Sequence, residues 1–249
     1  MKDYLRAVTE AESVEALWAL HTVEMAKYGF DRLIYGFTQF RSATSLGDTK
    51  DMIILTNHSQ EYVKGFIEDG LYFHAPMVRW ALENNGVCSW RWMDRQLREG
   101  GLSETERRIV EFNRAMGVTA GYSVSFRSVS ARAKGAIALT AAVGISQEEV
   151  DRIWERHGGD LIIMNNVAHL KIISLPYSTA RRPLTARQKE ALEWVGEGKT
   201  TQDIAQIMGL TPATVEKHLR LARTVLDTDT TAQAVLKATF QNQIFVIET

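Results

Sequence analysis

The C-terminal quarter of the chain has the most regular pattern of apolar and polar positions, and three successive helices can be predicted from it. The first helix is expected to begin after Thr185, because Thr185 and Gln188 have the spacing of a capping box, and to end near Glu197. Gly198 can terminate this helix, since glycine adopts a positive φ without steric cost.

A second and a third helix follow with only a tight turn between them. Thr200 can cap the second helix and Gly209 can close it. Thr211 and Pro212 open the third helix, because proline is well tolerated at the first helical position. Two helices joined by so short a turn predict a helix-turn-helix, in which the later helix enters the major groove of DNA.

The third helix has an apolar stripe and a polar face. At 100° per residue, the stripe that should face the core consists of Val215, Leu219, Ala222 and Leu226. The other side carries long cationic and short side chains that suit phosphates, base edges and thymine methyl groups. Together with two residues that precede the second helix, the predicted DNA-contacting set is Lys199, Thr200, Thr214, Lys217, His218, Arg220, Leu221 and Arg223.

About 60 residues of this region resemble the LuxR-type DNA-binding domain. The matching motifs are Leu184-Thr185-x-Arg187-x-x-Glu190-x-Leu192, Gly198-Lys199-Thr200, Ile204-Ala205, Thr214-Val215-x-x-His218 and Gln233-Ala234-Val235. The chain departs from the family at Leu221, where Asn is usual, and at Val225, where Lys is usual; both changes bear on the preferred DNA sequence. The resemblance implies a four-helix module that binds double-stranded DNA as a homodimer. Its last helix, about residues 230–242, offers Ala232, Val235 and Leu236 as dimer contacts.

Residues 1–173 alternate between helical and strand patterns. Helices are predicted at 11–28, 60–69, 76–84, 105–116 and 147–173, and strands at 32–40, 52–56, 87–92, 121–126 and 135–142. This order favours an α/β fold, an αβα sandwich with a central antiparallel sheet covered on both faces. Such a domain can enclose a small-molecule pocket.

Seven aromatic residues lie close together in the middle of this domain. They are Tyr62, Phe66, Tyr72, Phe73, Trp80, Trp90 and Trp92. Any one of them is readily explained by core packing, but a cluster of this density favours the wall of a ligand pocket.

The spacing within this region resembles the autoinducer-binding domain that usually accompanies LuxR-type helix-turn-helix modules. The matching residues are Tyr62-x-x-x-Phe66, His74-Ala75-Pro76, Trp90 and Gly121. The resemblance implies a small-molecule effector, an acyl-homoserine lactone or, by our interpretation, a different ligand. The predicted ligand-binding residues are Tyr62, Phe66, Tyr72, His74, Ala75, Trp90 and Ala138.

The departures fall on the positions that contact ligand in this family. There, an indole N–H, a tyrosine hydroxyl and an aspartate carboxylate bind the lactone carbonyl, the acyl carbonyl and the amide N–H. This chain has Tyr62, Phe66 and Ala75 instead, and Ala138 replaces a frequent hydroxyl residue. We expect weak lactone binding, with the Tyr62 hydroxyl pointing into the pocket. His74, beside Ala75, is either a replacement contact or an ordinary structural histidine.

Two of the four prolines lie in residues 174–183, which read as a linker between an effector-binding domain, 1–173, and a DNA-binding domain, 184–249. The net charge of −1 means that DNA affinity must come from locally placed cations rather than from a basic field. We expect a cytoplasmic protein, because the sequence has a single cysteine, no signal peptide and no membrane-length apolar run.

No cofactor or metal is expected. The segment Gly196-Glu197-Gly198-Lys199-Thr200 resembles the end of a phosphate-binding loop, but the position of the first glycine in that motif is occupied by Glu193. The six histidines do not have the spacing of metal ligands. The prediction is a LuxR-type, quorum-sensing transcriptional regulator that is not an enzyme. The alternatives are a regulator that needs no ligand, and an enzyme-like or scaffolding domain joined to a DNA-binding tail.

Overall fold

In the computed structural model, which describes residues 1–42, 46–177 and 183–246, five strands form one antiparallel sheet. The strands are β1 (Phe30–Thr38), β2 (Ile53–Thr56), β3 (Gly86–Ser89), β4 (Gly121–Ser125) and β5 (Lys134–Ala141). Their spatial order is β2-β1-β5-β4-β3. The sheet belongs to the first of two compact units, Met1–Ile172 and Ile173–Thr249.

Helices and short turns surround this sheet. They are α1 (Lys2–Glu10), α2 (Val14–Ala26), α3 (Gln60–Val63), α4 (Pro76–Glu83), α5 (Arg91–Arg98), α6 (Glu104–Ala115) and α7 (Gln147–Ser174). α3 continues into a π-helical turn, Lys64–Glu68, and 3-10 turns occupy Thr49–Asp51 and Leu71–His74.

The two faces of the sheet have different neighbours, because successive strand residues point to opposite sides. Tyr35 and Phe37 of β1 lie against His169 of α7, with ring centroids 5.9 and 5.6 Å apart. Ile34 and its β5 partner Ala138 face the other way, toward an apolar cluster built with α3 and α6. The predicted αβα arrangement with an antiparallel sheet is therefore confirmed.

A buried histidine joins the first two helices to α7. His21 is fully buried; the Tyr4 hydroxyl lies 2.6 Å from its Nδ1, and its Nε2 lies 3.2 Å from the Asn165 Oδ1. Burial lowers the pKa of His21 to about 4. A neutral imidazole satisfies both contacts, since one nitrogen accepts from the tyrosine hydroxyl while the other donates to the amide oxygen.

Three elements, β3, α5 and α1, differ from the sequence-based prediction. The predicted strand at 87–92 is shorter, because the chain turns at Trp90 and enters α5, whose Met93 is buried against Leu102 and Val110. The apolar residues at 87–92 thus belong partly to a strand and partly to a helix, which a short apolar run cannot distinguish. Helix α1, with Tyr4 and Val8 buried, was not predicted at all.

The second unit contains α8 (Ala186–Gly196), α9 (Thr201–Met208), α10 (Pro212–Leu226) and α11 (Thr231–Phe240). Capping boxes begin three of them, at Thr185, Thr200 and Thr230. The Thr211 side chain accepts from the backbone N–H of Thr214 at the start of α10, and Gly209 ends α9 with φ 65°. The predicted all-α module is confirmed.

Four apolar residues of α10 form the centre of the core of this unit. Val215, Leu219, Ala222 and Leu226 are all buried, as the helical periodicity predicts. The predicted linker, 174–183, begins at the last residue of α7, and its residues 178–182 lie outside the described part of the chain.

Candidate functional site

An apolar cavity of about 170 Å³ lies between the sheet and the α3–α6 side of the first unit. β1 and β5 form one wall, and the helical segments close the others. The apolar lining includes Ile34, Met52, Ile54, Phe66, Ile67, Met77, Val78, Met93, Val118 and Ile137. An enclosed apolar space with few polar groups is typical of a small-molecule site.

The structure brings together six of the seven residues that were predicted to bind ligand. Those that line the cavity are Tyr62, Phe66, Tyr72, Ala75, Trp90 and Ala138. His74 does not line it, and its side chain is exposed at the end of the 3-10 turn. Ala75 is buried and the adjacent His74 is exposed; a ligand contact by His74 remains a prediction.

The Tyr62 hydroxyl is not free in the cavity, contrary to our expectation. It donates to the Asn113 Oδ1 of α6 at 2.9 Å, and its ring stacks on His58, with ring centroids 4.4 Å apart, and on Phe66, at 5.1 Å. Burial raises the pKa of Tyr62, so the hydroxyl keeps its proton. Because the O–H group of Tyr62 already donates to Asn113, the Tyr62 oxygen can only accept a hydrogen bond from a ligand.

Trp90 and Gly121 shape the sheet side of the cavity. The Trp90 Nε1–H donates to the Ser123 hydroxyl at 3.0 Å, which fixes the indole against β4. A Cβ on Gly121 would overlap the Leu139 carbonyl oxygen and come within 3.0 Å of the Trp90 ring. Glycine is therefore required at this position by the close approach of a neighbouring strand and an aromatic ring.

Sequence reasoning missed several polar residues of the cavity wall, of which His58 and Asn113 contact Tyr62. His58 lies one helical turn before Tyr62 but outside the motif, and Asn113 comes from α6, about fifty residues later. Nothing in their spacing shows that they meet, because the contact crosses between two elements. Burial, together with the charge of Arg32, lowers the pKa of His58 to about 4.

In the second unit, α10 presents its polar side to solvent. Lys217 and Arg220 are exposed, and neither forms an ion pair within the described residues. The helix follows a three-residue turn after α9 and starts with Thr211 as its N-cap. This is the geometry of a recognition helix whose outer face can reach base edges and phosphates.

The other predicted DNA contacts fall into two groups. Lys199, Thr200 and Leu221 are exposed, while Thr214 and His218 are half-buried. Arg223 is also half-buried, and its guanidinium donates to the Thr231 hydroxyl at 2.7 Å, which joins α10 to α11. Its DNA contact remains a prediction, as do those of the other seven residues.

The three predicted dimer contacts lie on α11. Ala232 and Leu236 are exposed, and Leu236 keeps 49% of its surface. Val235 is half-buried and packs on the core of its own unit. Of these three residues, only Ala232 and Leu236 are exposed enough to contact a partner directly.

In the described part of the chain, no group of three or more histidine, cysteine or acidic side chains is placed to hold a metal ion. Among the helices described, none has the length and apolar character needed to cross a bilayer.

Comparison with known protein families assigns both units. Residues 13–172 match the model of the autoinducer binding domain, and residues 182–238 match that of the bacterial regulatory proteins of the luxR family. The chain belongs to the LuxR family of autoinducer-binding transcriptional regulators. LuxR-family proteins bind DNA and autoinducer-type ligands, typically as dimers; they are transcriptional regulators rather than enzymes.

Relatives and solved structures agree with this assignment. The transcriptional activator protein AnoR of Acinetobacter nosocomialis is 26% identical over 238 residues, which is 95% of each chain. SdiA of Escherichia coli shares the fold, with 16% identity, coverage of 98% of both chains and a TM-score of 0.54. CepR2 of Burkholderia cenocepacia, described as an N-acylhomoserine lactone dependent LuxR family transcription factor, has 17% identity and a TM-score of 0.53. The structural match covers 70% of this chain and 93% of the CepR2 chain.

Proposed function

We propose that this LuxR-family regulator senses an apolar effector other than an ordinary acyl-homoserine lactone. The observation that carries the proposal is the position of Ala75, a buried residue in the cavity wall. By resemblance, this is where the family places the carboxylate that accepts the ligand's amide N–H. A methyl group cannot accept, and a buried N–H without a partner costs about 1–3 kcal/mol.

Phe66 and Tyr62 support the same conclusion. Phe66 lines the cavity without the hydroxyl that serves the acyl carbonyl in the family, and the Tyr62 hydroxyl is engaged by Asn113. Loss of two or three such contacts would weaken lactone binding by about 10²- to 10⁴-fold. Trp90 keeps its place in the wall, so a pocket remains although its polar contacts have changed.

Calorimetric titration of the purified protein with acyl-homoserine lactones of several chain lengths tests this proposal. We expect weak or undetectable binding by the wild type and a gain of binding in the double variant Ala75→Asp with Phe66→Tyr. Nanomolar binding of any common lactone by the wild type would contradict the proposal.

We propose further that α10 reads the operator, with Lys217 and Arg220 as its main contacts and Lys199, Thr200, Thr214, His218, Leu221 and Arg223 around them. The support is the separation of a buried apolar stripe from an exposed cationic face on one helix. As a DNA-binding regulator, the protein would act in the cytoplasm, where bacterial DNA lies.

Two half-sites one helical turn apart require paired recognition helices, so we propose a homodimer that uses Ala232 and Leu236 of α11, with Val235 behind them. Leu236→Asp should reduce the dimer fraction measured by light scattering, whereas substitution of the buried Ala234 would disturb the unit itself. Detection of monomer alone for the wild type, both free and on DNA, would contradict the dimer.

A further inference from the structure

Most polar side chains of the cavity wall already have partners inside the protein. The Thr38 hydroxyl donates to the Leu46 carbonyl at 2.9 Å, and the Tyr72 hydroxyl lies 3.1 Å from that of Thr49. The Trp90 indole N–H is engaged by Ser123. A ligand cannot use these donors without breaking an existing hydrogen bond.

His58 is different from these side chains. Its Nε2 is buried and has no hydrogen-bond partner among the described residues. The ring stacks on Tyr62 with centroids 4.4 Å apart and planes inclined by 25°. Because burial lowers its pKa to about 4, the imidazole is neutral near pH 7 and can pair with an uncharged group.

Asn113 lies on the other side of the Tyr62 hydroxyl. Its Oδ1 accepts a hydrogen bond from the Tyr62 hydroxyl at 2.9 Å, while its amide nitrogen donates to nothing within the described chain. Asn113 is half-buried and lines the cavity, so its amide nitrogen is available to donate to a ligand oxygen. Tyr62 contacts both residues, so the neutral imidazole of His58 and the amide donor of Asn113 lie at the same end of the apolar cavity.

The chemistry of this end selects a hydroxyl group. A hydroxyl can accept from the Asn113 amide and, in either tautomer of His58, can also donate to or accept from the imidazole. A carboxylate would need a cation, and the nearby cations are already engaged. The Lys134 ammonium is held by the Asn84 carbonyl at 2.8 Å and by Asn85 Oδ1 at 2.9 Å. The Arg32 guanidinium, whose charge acts on His58, donates to Asp31 Oδ1 at 3.2 Å and to the Gly117 carbonyl oxygen at 3.1 Å.

We propose that His58 and Asn113 bind the head group of the effector, and that the effector is an uncharged, largely apolar molecule with an alcohol or phenol hydroxyl. The proposal rests on the function proposed above, namely that this cavity holds the effector. The cavity volume of about 170 Å³ sets a compact size, since an apolar cavity of roughly 150 Å³ accommodates benzene.

Two probes of nearly equal shape test the head group in the full-length protein, 4-ethylphenol and ethylbenzene. Their dissociation constants are measured by NMR titration for the wild type, His58→Phe and Asn113→Asp. His58→Phe keeps an aromatic ring for stacking, and Asn113→Asp keeps the oxygen that accepts from Tyr62 but removes the amide donor. Met77→Leu, an apolar change in the same wall, is the matched control.

A third probe, 4-ethylbenzoate, tests the charge of the head group: in the wild type, 4-ethylphenol should bind more tightly than this carboxylate by at least about 10-fold, because the carboxylate would be buried without a cation. The ratio of the ethylbenzene to the 4-ethylphenol dissociation constant should fall about 10-fold in His58→Phe and in Asn113→Asp, the effect of one lost hydrogen bond. Met77→Leu should leave the ratio unchanged. Because ethylbenzene needs no polar contact, its binding shows that each variant keeps an intact cavity.

An unchanged ratio in His58→Phe, with ethylbenzene still bound, would overturn the assignment of the head group but leave the effector cavity in place. Failure of both uncharged probes to bind the wild type would overturn this inference and the effector-binding role of the cavity together.

Discussion

The recognition helix and the effector cavity use polar side chains in opposite ways. On α10, Lys217 and Arg220 extend into solvent, where a partner can meet them without any rearrangement of the protein. In the cavity, the hydroxyls of Tyr62, Tyr72 and Ser123 are hydrogen-bonded to other protein groups. Specificity on the surface therefore depends on which side chains are present, whereas specificity inside depends on which polar atoms remain without a partner.

The same contrast holds for substitutions. A change on the outer face of α10 should alter the proposed contact with DNA and leave the folded unit intact. A change in the cavity alters the ligand contact and the packing together, because interiors are close-packed and each buried polar group needs a partner.

The largest difference between the two units should come from acid. Burial lowers the pKa of His21 and His169 to about 4, while an unfolded histidine titrates near 6.5. As the pH falls, the unfolded chain binds protons first. The contribution of these histidines to the free energy of unfolding of the first unit is therefore fully present above about pH 6.5. It should then fall toward pH 4 by up to about 1.4 kcal/mol per pH unit for each histidine.

Hydrogen exchange resolved by segment and corrected for its intrinsic pH dependence measures this effect unit by unit. Residues 184–249 contain one histidine, His218 on α10, and should lose less stability over the same range. His169→Gln should reduce the slope of the first unit. Equal stability of that unit at pH 5 and pH 7.5 would show that its buried histidines do not control the acid response.

The next effect concerns the sheet behind the cavity. Gly121→Ala should lower the free energy of unfolding of the first unit by about 1–3 kcal/mol, because the new methyl group meets the Leu139 carbonyl and the Trp90 ring. Gly36→Ala in β1 is the matched control, since a Cβ there has no atom within 4 Å. Denaturant unfolding curves that rank the two variants equally would refute the close approach at Gly121.

The third prediction applies to α10 alone. Lys217→Ala and Arg220→Ala should each weaken operator binding by about 1–3 kcal/mol and relax the preference at one operator position, without changing effector binding. Lys199 is proposed to contact a phosphate, so Lys199→Ala should instead weaken binding to all DNA sequences similarly. Gel-shift affinities equal to the wild type for both α10 variants would contradict the placement of this helix in the major groove.

Sequence patterns described the second unit almost completely. The predicted caps at Thr185, Thr200 and Thr211 and the turn at Gly209 are local, and each depends on residues within about one helical turn. The buried stripe of α10 follows from its own periodicity. In the first unit, local patterns predicted all five strands but extended β3 through residue 92, where the chain has already entered α5.

The candidate cavity was predicted less fully, for a physical reason. The aromatic cluster and the spacing of Tyr62, Phe66, Ala75 and Trp90 placed its wall, but spacing does not show which way a side chain points. His74 and Ala75 are adjacent, and only the turn of the backbone decides that one is exposed and the other buried.

The sequence by itself determined the helix-turn-helix, the alternation of helices and strands in the first unit, and the loss of family contacts at Phe66 and Ala75, because these depend on residue identity and local spacing. Only the tertiary structure decided that Asn113 accepts a hydrogen bond from the Tyr62 hydroxyl and that His58 Nε2 is buried with no hydrogen-bond partner in the described part of the chain. These contacts join separate elements, and hydrogen-bond partners across a fold are set by packing geometry that no single segment contains.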